Sequence, residues 1–244
     1  MYKQEYQTMF SIEETYWWFV ARRKMVINLL KRYIKSSENL KLLDIGCGTG
    51  NNLIEFNKLG DATGLDASQD AIEFCKQRGL LNVVKQNAEE ITLAKESFDV
   101  ITLLDVLEHV QDDMKVLSNC YDLCKKDSLV LITVPAYGFL WSEHDEALQH
   151  KRRYTAAELR NKLNISNFKI VKISYTISAL FFPIFLMRFW QSIFKNSVYP
   201  QTAIVLLPKL INDFIIKILD IENSLLKYIN YPMGVSIVCL AVKE

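Results

Sequence analysis

The chain has 244 residues, enough for one domain with a sizeable core, and half of them are hydrophobic, which excludes an intrinsically disordered chain. Its 29 basic and 28 acidic residues leave a formal net charge of +1, so the broad basic face that marks a nucleic-acid binder is not expected. The five cysteines are an odd set with no C-x-x-C spacing, which suits buried, reduced thiols in a cytoplasmic protein.

The first residues mix acids and aromatics where a signal peptide needs a basic start and an apolar run. Residues 11–35 read as a helix, with Trp17, Trp18, Val20, Met25, Ile27, Leu29 and Leu30 set among charges. Alternation follows: strand 41–45, helix 51–59, strand 61–66, helix 69–77, strands 82–86 and 98–104, helix 112–124 and strand 128–134, stopped by Pro135. Helix 155–163 opens on the capping pair Thr155 and Glu158, and 168–175 and 235–242 read as two more strands. Strands alternating with helices specify a parallel sheet covered on both faces. The chain therefore reads as a single α/β domain: an N-terminal helical lid over 1–38, a core over 39–175, an apolar helical insertion over 176–234, with a helix at 209–228, and a last strand at 235–244.

Gly46-x-Gly48-x-Gly50 follows the first strand and opens a helix, a place where the backbone can turn sharply and approach a ligand. Asp44 precedes the turn, and Asp66 ends the next strand, where a carboxylate can accept both hydroxyls of a ribose. Asn87-Ala88-Glu89 follows the third strand, and Leu104-Asp105-Val106-Leu107-Glu108-His109 leaves the fourth. All of these lie at carboxyl ends of strands, where open α/β sheets bind ligands.

Leu43-Asp44-Ile45-Gly46-Cys47-Gly48-Thr49-Gly50, Gly64-Leu65-Asp66-Ala67-Ser68 and Phe98-Asp99-Val100-Ile101 resemble successive motifs of class I S-adenosylmethionine-dependent methyltransferases. Asp105-Val106-Leu107-Glu108-His109-Val110 is similar to the matching stretch of the ubiquinone-pathway O-methyltransferases. The resemblance spans roughly residues 40–135 and implies a Rossmann-like seven-stranded sheet of order 3-2-1-4-5-7-6 with its last strand antiparallel. It implies S-adenosylmethionine as cofactor, held by Arg22, Asp44, Gly46, Cys47, Gly48, Gly50, Asp66, Ala67, Asn87, Ala88, Glu89 and Leu104. Asn87 stands where the family often has Asp, and Lys125-Lys126-Asp127-Ser128 stands for its usual Lys-Pro-Gly-Gly turn. An NAD-binding domain is the nearer rival, but no third glycine stands in the G-x-G-x-x-G register.

The segment after strand five carries His144, Asp145 and His150, a base with an orienting carboxylate for removing a proton from an acceptor hydroxyl. Trp17, Tyr137, Trp141, Arg152, Arg153 and Tyr154 are the expected substrate contacts, with the arginines clamping an anion. No ligand set for a metal is fixed, so none is expected. The apolar run 173–187 is shorter than the roughly 20 residues that span a bilayer and contains Pro183. The aromatic cluster Phe181 to Trp190, with Arg188 and Lys195, leaves three readings open: core packing, peripheral membrane or lipid contact at the inner face, and a homodimer interface. The expected reaction is methyl transfer to an oxygen, less readily a nitrogen, of a small or lipid-linked anionic acceptor. A non-catalytic S-adenosylmethionine-binding subunit and an RNA methyltransferase are the alternatives.

Overall fold

A computed structural model describes residues 3–34, 39–193 and 204–244. Residue 35 of the expected first helix, residues 35–38 of the expected lid, Lys195 and Pro200 lie outside the described residues. Strands β1 (Lys41–Ile45), β2 (Asp61–Asp66), β3 (Val83–Lys85), β4 (Phe98–Leu104), β5 (Cys124–Pro135), β6 (Phe168–Thr176) and β7 (Ser236–Lys243) form one sheet of order 3-2-1-4-5-7-6. The first five strands pair in parallel, and β7 runs antiparallel to both β5 and β6. The expected order and the direction of the last strand are both present.

Successive residues of β1 supply both cores, as the twofold strand period requires. Leu43 and Ile45 pack with Ile101, Val130 and Ile132 against α5 (Asp113–Leu123) and α7 (Ala156–Ile165). Leu42 packs with Val100 and Leu131 on the other face, against Met25, Val26, Leu29 and Leu30 of α2 (Trp17–Tyr33) and Leu53 and Phe56 of α3 (Asn51–Phe56). Helix α4 (Gln69–Gln77) adds Cys75 to that second core and starts at Ser68, whose hydroxyl accepts from the Ala71 N–H. All five cysteines are buried free thiols.

Two boundaries depart from the sequence reading. The expected first helix is two, α1 (Lys3–Ile12) and α2, broken where Glu13 turns inward. The buried Glu13 carboxylate accepts from the Thr49 hydroxyl and from Arg78 Nη2 at 2.7 Å, so this tertiary pull outweighs helical continuity. Strand β5 starts at Cys124 and continues through the expected turn, with Asp127 in the left-handed region (φ 63°) and the Ser128 hydroxyl donating to Phe98 O at 2.9 Å.

Between β6 and β7 lie α8 (Phe181–Ile193) and α9 (Lys209–Leu225). Phe181 and Leu219 join Ala21, Leu140, Ile177 and Val235 in a third apolar cluster, with Trp17 and Trp18 packed on it. Asn212 of α9 caps α2, accepting the Trp17 N–H at 2.9 Å and donating to Thr15 O at 2.9 Å. The buried Glu222 accepts the N–H groups of Ser178 and Ala179 at 3.0 and 2.9 Å, fixing the entry to α8. Glu222→Ala orphans both donors and is expected to cost about 1–3 kcal/mol in urea unfolding; an unchanged midpoint would show that water replaces the carboxylate.

Candidate functional site

The carboxyl ends of β1, β2, β4 and β5 open into one cavity of about 540 Å³, roofed by α1, α2 and α8. Its first half is built by the glycine turn. Gly46 has φ +73°, and a Cβ there would lie 2.4 Å from Val106 Cγ2, so any other residue would push the loop off β4. Gly50, φ +85°, starts α3, and a Cβ there would lie 2.6 Å from Leu80 and 2.9 Å from Cys75 Sγ. The turn brings the Gly48 N–H to Asp66 Oδ2 at 2.9 Å, while Ser68 N–H donates to Oδ1 at 2.9 Å. Burial raises the Asp66 carboxyl against those hydrogen bonds.

Asp44 is buried, and its Oδ1 accepts from the Thr102 hydroxyl at 2.6 Å. Among the described residues its Oδ2 has no partner, and burial pushes the carboxyl up to about 7 against the Thr102 hydrogen bond. Arg22 lines the cavity, stacks 4.3 Å over Trp18 and pairs with Asp105, leaving Nε without a partner among the described residues. Cys47, Ala67, Asn87, Ala88, Glu89 and Leu104 also line the wall, whereas Asp44 and Gly50 are set behind it. Asn87 Oδ1 accepts the Glu89 N–H at 3.1 Å.

The second half follows β5. Helix α6 (Glu143–Ala147) is opened by a reciprocal cap in which Asp145 Oδ2 accepts the Ser142 N–H at 2.9 Å. The Asp145 carboxylate also takes Arg153 in bidentate fashion, Nε at 2.7 Å and Nη2 at 3.0 Å, and His150 Nδ1 at 2.8 Å. Burial opposes its ionisation, but the hydrogen bonds from His150 and Arg153 and the charges of Arg153 and Arg188 outweigh it and hold the carboxyl well below the usual range. A carboxylate on Nδ1 fixes the tautomer that leaves Nε2 of His150 as an acceptor. The Lys151 N–H donates to Glu108 O at 2.7 Å, which seats this loop against the end of β4.

The His109 and His150 rings meet edge to face at 4.7 Å. Burial and His150 push His109 down to about 3, and burial and Arg188 push His144 down to about 4. Glu108 is fully buried, neither carboxylate oxygen has a partner among the described residues, and burial with Asp105 pushes it well up. Ligand atoms of Glu108, His109 and His150 lie within 4.8 Å of one another, an arrangement able to hold a divalent ion.

A family model described as a methyltransferase domain matches residues 18–173, more than half of the chain. The chain belongs to this methyltransferase family. The methyltransferase is 33% identical over 122 residues to the ubiquinone biosynthesis O-methyltransferase of Coxiella burnetii, covering 45% of this chain and 52% of that protein. The protein of the same name in Glaesserella parasuis is 31% identical over 150 residues, covering 54% and 63%. The matched region thus spans only about half to three-fifths of these curated relatives. Among solved structures, a SAM-dependent methyltransferase from Archaeoglobus fulgidus superposes with TM-score 0.57 at 24% identity, covering 91% of this chain and 94% of that one. A phosphoethanolamine N-methyltransferase from Haemonchus contortus, in complex with S-adenosyl-L-methionine, gives TM-score 0.59 at 20% identity, covering 89% and 51%. The fold of the methyltransferase is therefore that of the class I S-adenosylmethionine-dependent enzymes.

The structure places several of the expected substrate contacts away from the cavity. Arg152 turns outward, donating to Val110 O and Gln111 O at 3.2 and 2.8 Å and pairing with Asp113 at 3.2 Å. Tyr154 is a core residue whose hydroxyl donates to Asp113 at 2.8 Å. Tyr137 is stacked between Phe139 and Tyr175, each 4.9 Å away. Trp141 does not line the cavity; Trp17, His144, His150 and Arg153 do. Sequence reasoning missed Tyr6 and Met9 of α1, and Arg188 of α8, which all line the wall. Arg188 carried a signal: it is the only charged residue of α8.

Asp145→Asn leaves two buried guanidiniums facing a neutral amide, and the expected loss is about 3–5 kcal/mol of unfolding free energy. Because the folded carboxyl titrates below its unfolded value of about 3.9, its contribution is complete above that pH and falls away as pH drops further. Urea titrations of wild type between pH 6 and 3 should show that decline, and the Asn variant a shallower one.

Proposed function

We propose that the protein transfers the methyl group of S-adenosylmethionine to an oxygen of a small or lipid-linked anionic acceptor. The observation that carries this reading is the His150–Asp145 pair, held on the same cavity as the glycine turn and Asp66. The first half suits the donor: Asp66 for the ribose hydroxyls, Asp44 behind the wall as a charge that favours the amino group without touching it, and Arg22 close to the carboxylate. The turn at Gly46 supports this fit, because a side chain there has no room.

When bound, S-adenosylmethionine supplies a methyl group on a sulfonium that is already a good leaving group. The protein then needs mainly to align the acceptor oxygen and exclude water. Nε2 of His150 takes the acceptor's proton as the new C–O bond forms, and Asp145 stabilises the imidazolium. Aromatic residues Trp17, Trp18 and Phe19 close the cavity, and Ile184 and Met187 of α8 extend its apolar wall. Exposed Phe182, Leu186, Phe189 and Trp190 on α8 and Leu210 and Phe214 on α9 support a lipid-linked acceptor met at a membrane surface. No described helix is long and apolar enough to cross a membrane.

Two outcomes are expected. Burial pushes the Asp44 carboxyl up to about 7, and its ionised form behind the glycine turn favours an ammonium in the cavity, so affinity for S-adenosylhomocysteine should rise as pH increases from 6 to 8. Calorimetry should find this slope flattened in Asp44→Asn, and binding weakened about 10–100-fold in Asp66→Ala at any pH; unchanged affinity in the latter would remove the ribose contact. Labelled methyl transfer to acceptors in a cell extract should fall about 10²–10⁴-fold in His150→Ala with S-adenosylhomocysteine affinity retained. Transfer lost in EDTA and restored by a divalent cation would instead assign His150 to a metal, and absence of transfer with intact cofactor binding would favour a non-catalytic subunit.

A further inference from the structure

We infer that Arg188, on the helix inserted between β6 and β7, is the residue that binds the acceptor's anionic group, a carboxylate or a phosphate. The inference builds on the proposed methyl transfer only in naming the ligand as the methyl acceptor.

The orientation of α8 is the first observation. Arg188 is its one charged residue, yet its side chain is only 10% exposed while Phe182, Leu186, Phe189 and Trp190 are 50–63% exposed. Solvation alone would turn the helix the other way, since a long basic side chain ordinarily carries its charge to water and leaves apolar groups inside. Arg188 instead lines the cavity, beside His144 and His150.

The second observation is a count of charge. Asp145 is one carboxylate facing two guanidiniums, and Arg153 already occupies it with two hydrogen bonds. Arg188 Nη1 stands 3.7 Å from Asp145 Oδ2 and donates to Leu140 O, while its Nε has no partner among the described residues. Among the described residues, Asp145 is the carboxylate that pairs with Arg188. Arg22 and Asp105 cancel each other, and His109, His144 and Glu108 are all held toward their neutral forms. Even the guanidinium of Arg188 feels the deficit, pushed by burial down to about 10. A buried cation with a spare N–H edge is completed by an anion that brings its own charge and acceptor atoms.

The third observation is what surrounds it. Ile177, Ile184, Met187, Ile204 and Val235 line the cavity with Arg188. The matching ligand has an apolar body next to its anionic group. The arginines picked out by sequence are already engaged, Arg153 by Asp145 and Ala136 O and Arg152 outside the cavity, which leaves the role to Arg188.

Three probes with one ring each test this: benzoate, phenyl phosphate and benzyl alcohol, titrated by calorimetry into the protein saturated with S-adenosylhomocysteine. At least one anion is expected to bind about tenfold or more tighter than the alcohol, and the stronger of the two tells a carboxylate site from a phosphate site. Arg188→Gln should erase that preference while affinities for benzyl alcohol and S-adenosylhomocysteine stay unchanged, and Arg188→Lys should retain part of it. In wild type, the Arg188 Nε–H resonance should shift with the anion and not with the alcohol, a reading that needs no substitution. Equal affinities in wild type, no saturable anion binding, a preference that survives Arg188→Gln or an unmoved resonance would each overturn the assignment. Methyl transfer does not enter these readouts, so anion preference without transfer would keep the clamp and remove the proposed function, and transfer without preference the reverse.

Discussion

One carboxylate organises the half of the cavity that follows β5. Asp145 caps α6 through Ser142, fixes the ring of His150 and holds Arg153, which in turn donates to Ala136 O at the end of β5. The loop that carries it is seated on β4 by the bond from Lys151 to Glu108 O. Its position near Arg188 extends the same network to α8. Because the side chains of Asp145, His150 and Arg153 are buried, the bonds among them cannot be exchanged for water without cost, and they hold the loop as a unit.

The sheet explains why this network and the glycine turn share a cavity. Strands β1, β4 and β5 are neighbours and parallel, so the segments leaving them emerge on one edge. Strand β7 inserts between β5 and β6, which makes the connection from β6 back to β7 pass over that edge. An insertion placed in that connection lies over the cavity, where α8 joins the roof and α9 packs on α2 through Ala21 and Leu219. Roof and floor are thus separate in sequence and joined by topology.

What was legible in the sequence was local. A strand, a glycine turn and an acid at the end of the next strand lie within about 25 residues, and their spacing reports their geometry directly. The strand order followed from the resemblance of those motifs to a known fold. The acceptor half was less legible because its chemistry is decided by long-range pairing. Arg152 and Arg153 are adjacent and identical in type, yet a strand-like alternation sends one to the surface beside Asp113 and the other inward to Asp145. Tyr154 looked like a ligand contact and is held in the core by Asp113, 41 residues away. The break between α1 and α2 depends on Thr49 and Arg78, which no helical periodicity can announce.

The neutralised groups on and behind the wall give the cavity its character. Burial has driven Asp44, Glu108, His109 and His144 toward uncharged forms, each by raising an acid or lowering a base. Asp105 is paired with Arg22, and Asp145 with Arg153. Arg188 is the exception, a guanidinium whose nearest carboxylate is already committed. In a low-dielectric cavity such an imbalance favours an anion, since a site that stabilised only itself would be better served by another apolar side chain of α8. On the proposed reading, donor recognition rests on the turn and its acids, and acceptor recognition rests on that uncompensated charge beside an apolar wall.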